Sequence, residues 1–104
     1  MNQILIAYKK IYEKQIIHRD LKPANIFLRN GRVRLADFGY ATRANLNSNN
    51  GMVKTKENVG SPVYMAPESL QKNIYSYKSD IWALGVIYYE MLMGKQPWDA
   101  IRED

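Results

Sequence analysis

From Ile81 to Met93 the chain runs about 13 residues with a single charge, Glu90. Ser79 ahead of the run is a good N-cap, Asp80 falls in the first turn and Gly94 follows the end, so a helix is predicted over residues 80–93. Ile81, Trp82, Ala83, Leu84, Val86, Ile87, Tyr88 and Tyr89 leave that helix almost no polar face. A helix apolar all round is a central pillar, and the rest of the chain has to be arranged around it. The run is too short for a bilayer, which needs roughly 20 apolar residues.

Other segments supply what could surround the pillar. Residues 2–15 carry Ile4, Leu5, Tyr8, Ile11 and Tyr12 at i, i+3, i+4, i+7 and i+8 spacing, with Lys9, Lys10, Glu13 and Lys14 on the other face, which predicts an amphipathic helix. Ile16-Ile17 reads as a short strand. Ile26-Phe27-Leu28, Asn30-Gly31, then Val33 and Leu35 read as a small β-hairpin, because both turn positions want positive φ. Tyr40 to Val59 is polar and reads as a mobile loop. Asp37 through Glu68 spans 32 residues, longer than an ordinary connection and therefore expected to be functional. A short helix is predicted over Glu68–Lys72.

Composition narrows the function classes. Hydrophobic residues at 46% argue against disorder. The formal charge of +5 comes from 15 Lys and Arg against 10 Asp and Glu, but the basic residues are scattered, so no nucleic-acid partner is expected. There is no cysteine and one histidine, His18, which removes disulfides and thiolate metal sites. The N-terminus has no basic lead or long apolar region, so no signal peptide is read there. These features predict a soluble, intracellular, cytoplasmic protein without a membrane span.

The chemistry concentrates in His18-Arg19-Asp20-Leu21-Lys22-Pro23-Ala24-Asn25. Phosphoryl transfer needs a carboxylate to orient the attacking hydroxyl, a cation for the moving phosphoryl group and oxygen ligands for Mg²⁺. Asp20, Lys22 and Asn25 could supply all three. Asp37-Phe38-Gly39 and Ala66-Pro67-Glu68 follow in order. Together these motifs resemble the eukaryotic-type protein kinases, and Lys22 within Asp-Leu-Lys-Pro resembles the Ser/Thr class. Gly60-Ser61-Pro62-Val63-Tyr64-Met65-Ala66-Pro67-Glu68 is similar to the autophagy-initiating subgroup.

The resemblance implies roles. Asp20 and Lys22 would be catalytic, the first at the substrate hydroxyl and the second at the transferred phosphate. Asn25 and Asp37 would be the Mg²⁺ ligands and, with Phe27 under the adenine ring, would form the ATP site; Phe27 reads equally as a core aromatic. Arg19 would pair with an anion on the loop, and Phe38 would distinguish active from inactive states with His18 as its packing partner. Where the family often carries a phosphorylatable Thr this chain has Glu57, expected to stand in partly for a phosphate, with Thr55 as the alternative switch. Ser61 and Pro62 would form the substrate wall. Asp80 and Trp82 resemble a buried anchor for the catalytic loop, with helix capping as the plainer role for Asp80. Glu68 is expected to be an unpaired carboxylate, costly if buried.

The expected fold is mainly α with a small β-hairpin, a partial C-terminal lobe of the protein-kinase fold (α+β). Residues 1–104 read as a fragment of that domain. No Gly-rich phosphate loop and no Val-Ala-Ile-Lys strand is found, and the last helices are absent. Such a chain is expected to fold poorly alone or to be part of a longer product, with apolar surface left open. The function implied is transfer of the ATP γ-phosphate to Ser or Thr of protein substrates, within a longer parent and under an upstream kinase or regulatory partner. The alternative is a truncated, non-catalytic module that binds a partner protein.

Overall fold

The computed structural model describes residues 2–44, 51–56 and 58–95, and is mainly helical with small antiparallel sheets. Helix α1 (Asn2–Glu13) turns Ile4 and Tyr8 into the core and packs Ile11 against it, using the stripe that the sequence carries. Leu5, expected on the same face, is exposed instead. The chain leaves α1 through Gln15, whose φ of 58° is left-handed, and enters β1 (Ile16–Ile17) directly.

The predicted hairpin is present. Strands β2 (Ile26–Arg29) and β3 (Arg32–Leu35) pair antiparallel in register from Ile26↔Leu35 to Arg29↔Arg32. Asn30 and Gly31 between them both have positive φ, 54° and 76°, as a two-residue hairpin turn requires.

The segment read as a mobile loop is more ordered than its composition suggested. Strand β4 (Thr42–Arg43) pairs with β1, and β5 (Val53–Lys54) pairs with β6 (Ile74–Tyr75), both antiparallel. Each pairing is two residues long and joins positions about twenty or more residues apart, so no local periodicity announces it. The most polar part of that loop, residues 45–50, lies outside the described residues.

Helix α2 (Pro67–Lys72) opens on a proline, whose missing N–H costs nothing at the first helical position. Helix α3 (Tyr77–Met93) begins three residues earlier than predicted. Its N-cap is Ser76 and not Ser79. Ser76 Oγ accepts from the Lys78 amide at 3.1 Å, while Ser79 Oγ accepts from the Ser76 amide at 3.0 Å. Both serines are cap-type residues, and the reciprocal box uses both. The end is as expected: Gly94, with φ 74°, donates its N–H to the Glu90 carbonyl at 2.9 Å.

The main core joins Ile4 and Tyr8 of α1, Leu21, Tyr64, and Ala83, Leu84, Val86 and Ile87 of α3. A second cluster holds Ile17, Ala44, Met65 and Tyr75. On the opposite side of α3, Ile81, Trp82, Tyr88, Tyr89 and Leu92 are exposed, and Met91 and Met93 are exposed at its C-terminal end. Among the described residues, then, the pillar is covered along one face only. No described helix is long and apolar enough to cross a membrane.

Candidate active site

The loop after β1 carries only a 3₁₀ turn at Pro23–Asn25, yet its backbone is fixed from a helix some sixty residues away. Asp80, in the first turns of α3, is 2% exposed. Its Oδ2 accepts from the His18 amide at 2.8 Å and from the Tyr8 hydroxyl at 2.9 Å, and its Oδ1 accepts from the Arg19 amide at 3.1 Å. Burial pushes the Asp80 carboxyl above its ordinary value, while the His18 amide, the Arg19 amide and the Tyr8 hydroxyl pull it back. The Tyr8 hydroxyl, buried and facing that carboxylate, is pushed far above its own ordinary value and therefore stays a donor. Capping is not the work of Asp80, since Ser76 and Ser79 do it. Trp82 is not buried with Asp80: two positions along a helix is about 200°, and this turns the indole to the exposed side.

His18 is fully buried and ties three segments together. Its Nδ1 accepts from the Asp20 amide at 3.1 Å, which leaves Nε2–H to donate to the Ala36 carbonyl at 2.8 Å. Its ring centroid lies 4.8 Å from that of Phe38. Asn25, also buried, donates its side-chain amide to the Asp20 carbonyl at 2.7 Å and to Asp20 Oδ2 at 3.4 Å. The Ala36 amide in turn donates to the Asn25 carbonyl at 2.9 Å, at the open end of the hairpin. The hairpin thereby returns the chain to Asn25 one residue before Asp37. Asp37 is exposed and left-handed, with φ 58°, and Arg19 is left-handed too, at 73°. Strained backbone of this kind persists only where its surroundings over-determine it.

Lys22 Nζ donates to Ser61 Oγ at 3.1 Å across 39 residues of chain, so the expected catalytic loop and the expected substrate wall meet. Pro62 is exposed and opens a 3₁₀ turn over Pro62–Tyr64. Phe27 is exposed on β2 opposite Arg34, which removes its reading as a core aromatic.

The segment that precedes Ser61 is pinned by residues that sequence reasoning did not single out. The Tyr75 hydroxyl accepts from the Val59 amide at 2.9 Å and donates to the Val59 carbonyl at 3.0 Å. The Asn58 amide donates to the Ser69 carbonyl at 2.6 Å and to Asn73 Oδ1 at 2.8 Å. Gly60 has φ 110°, and a Cβ there would lie 2.8 Å from the Arg19 carbonyl oxygen. Only glycine allows this approach to the His18–Asn25 loop. The Arg19 side chain reaches the same place: Nε donates to the Tyr40 carbonyl at 2.6 Å, and the guanidinium lies 5.0 Å from the Tyr75 ring centroid. Thr55 extends β5, its amide donating to the Asn73 carbonyl at 3.0 Å. Glu57 lies outside the described residues. Glu68 is only half-buried, in the first turn of α2, so it does not carry the cost of a fully buried charge.

Asn25 and Asp37 offer hard oxygen donors, and the Asn25 amide nitrogen is spent on Asp20, which turns its oxygen the other way. Among the described residues no group of three or more His, Cys, Asp or Glu side chains could hold a metal. Two protein oxygens fit Mg²⁺, which is usually held by one or two side chains together with waters and substrate phosphates.

Comparison with known proteins agrees with this geometry. The family model described as protein kinase domain matches residues 1–104. Mouse serine/threonine-protein kinase MRCK gamma is 43% identical over 104 residues, covering 94% of this chain and 6% of that protein. Human serine/threonine-protein kinase ULK1 is 42% identical over 110 residues, covering 96% and 10%. Mouse serine/threonine-protein kinase Nek1 is 42% identical over 99 residues, covering 94% and 8%. The chain thus spans a tenth or less of the length of these three relatives. It belongs to the protein kinase domain family, among relatives named as serine/threonine kinases.

Proposed function

We propose that these residues form the catalytic loop, activation segment and substrate shelf of an ATP- and Mg²⁺-dependent protein kinase acting on Ser or Thr of protein substrates. The observation that carries the reading is the chain of contacts from Asp20 to Asn25, from Asn25 to Ala36 beside Asp37, and from Lys22 to the Ser61 hydroxyl. Asp20 orients the substrate hydroxyl and accepts its proton. Lys22, two residues after Asp20 and bonded to Ser61, offsets the charge of the transferring phosphoryl group. Ser61 and Pro62 line the acceptor residue, and Phe27 is open to contact the adenine. Asn25 and Asp37 would hold Mg²⁺, which when bound neutralises phosphate oxygens. Phe38, against the His18 ring, and Arg19, against Tyr40 and Tyr75, are the regulatory positions, with Thr55 or Glu57 as the switch on the loop.

The test is phosphorylation of a Ser/Thr peptide by the native polypeptide with ATP and Mg²⁺. Asp20→Asn should lower kcat by about 10² to 10⁴, the usual worth of a positioned acid or base. Loss of less than threefold refutes the assignment. A second reading, a non-catalytic module that binds a partner protein, draws on the exposed apolar side of α3. It takes precedence if the native polypeptide transfers no phosphate yet forms a stable complex that Leu92→Asp abolishes.

A further inference from the structure

We infer that Tyr8 is a positioning residue for the catalytic loop, acting through Asp80; this rests on the phosphotransfer reading above. An amphipathic helix needs only an apolar side chain at a core position, and Leu, Ile or Phe would serve. Tyr8 is instead a phenol, 4% exposed, at the centre of the core face of α1. Its hydroxyl is aimed at one atom, Asp80 Oδ2, at 2.9 Å. The same oxygen accepts the His18 amide at 2.8 Å. From there the bonds run on through the His18 ring: Asp20 N–H to Nδ1, and Nε2–H to the Ala36 carbonyl one residue before Asp37. Tyr8 is therefore three links from the backbone of both Asp20 and Ala36, the residue before Asp37, on a helix that contributes no other group to the carboxylate.

The geometry decides what the phenol does there. Oδ1 is held by one donor, the Arg19 amide, and Oδ2 by two. The two backbone amides both come from the loop after β1, one on each oxygen, and the phenol adds a third donor from a separate element, α1, so that the carboxylate's position is set from outside the loop that it holds. Rotation of the carboxylate moves the acceptor for the His18 and Arg19 amides, and with them the strained backbone at Arg19 (φ 73°). Small misplacement of a reacting group is costly in rate, so the effect falls on kcat rather than on nucleotide binding.

Tyr8→Phe in the native polypeptide removes the hydroxyl and keeps the ring. We expect kcat for a Ser/Thr peptide to fall about three- to tenfold, KM for ATP to stay within about twofold, and exchange of the His18 and Arg19 amide protons to accelerate while Leu84, Val86 and Ile87 remain protected. In an Asp80→Asn background, Tyr8→Phe should add little to the loss already present. Unchanged kcat with unchanged exchange overturns the proposal. So does a loss of protection spread equally over α3, which would make Tyr8 an ordinary core residue, and so do independent, multiplicative effects of the two substitutions. If Asp80→Asn does not fold, the exchange pattern of Tyr8→Phe alone decides. Failure of the phosphotransfer reading is seen separately, as no Asp20-dependent activity in the unsubstituted polypeptide; the local exchange at His18 and Arg19 still reports on the Tyr8 contact.

Discussion

Two irregular segments meet at the candidate site, and they are held in different ways. The loop from His18 to Asn25 is anchored from beneath by Asp80, His18 and Asn25, all buried and all bonded to backbone. The segment from Met52 to Gly60 is pinned from the side by two short strands, the Tyr75 hydroxyl and the Asn58 amide. The first relies on an ionisable group in a low-dielectric setting, where a lost partner is expensive. The second relies on neutral bonds, several of them near solvent, where each contributes about 1 kcal/mol. On the proposed function this contrast has a use: the loop that would present Asp20 is over-determined, and the loop that would change state is held by contacts that can be released.

Asp80→Ala is the strongest challenge to this contrast. It strips the acceptor from two amides and a buried phenol at once, and should cost about 4 kcal/mol or more of stability, measured by urea unfolding of the native polypeptide. A cost under about 1 kcal/mol would mean that the catalytic loop is not anchored from α3. Gly60→Ala tests the seam between the two segments. The new Cβ would lie 2.8 Å from the Arg19 carbonyl oxygen at a φ of 110°, so about 2 kcal/mol of strain is expected, with phosphotransfer falling as the loops part. Tyr75→Phe should have the smallest effect, about 1 kcal/mol, and a local one. Limited proteolysis within residues 52–59 should speed up while the global unfolding midpoint barely moves. A global shift as large as that of Asp80→Ala would erase the distinction between the two anchors.

Most of the site could be read before any coordinates, because motif residues close in sequence must share a loop. Asp20, Lys22 and Asn25 fall within six positions, and the Asn30-Gly31 turn obliges β3 to return towards Asn25. The apolar run ending at Gly94 likewise had to be a helix. What stayed hidden was long-range and polar. Ser76 and Ser79 are both plausible caps, and only the chain's entry into α3 selects Ser76. Tyr8 reads as one more apolar position until its hydroxyl is found on Asp80, and Tyr75 until its own is found on Val59. Trp82, which the resemblance implied as part of a buried anchor with Asp80, is exposed, since two positions along a helix is about 200° around it.

The sequence by itself determined the helices, the hairpin, the close grouping of Asp20, Lys22 and Asn25 and the family, since all rest on local periodicity, turn geometry and motif spacing. The tertiary structure alone decided which face of α3 is covered, where the polar loop finds its strands and which side chains hold His18 and Val59 in place. Those outcomes depend on closing contacts across tens of residues, where a hydrogen-bonding group's partner is set by three-dimensional proximity and leaves no periodic trace in the chain.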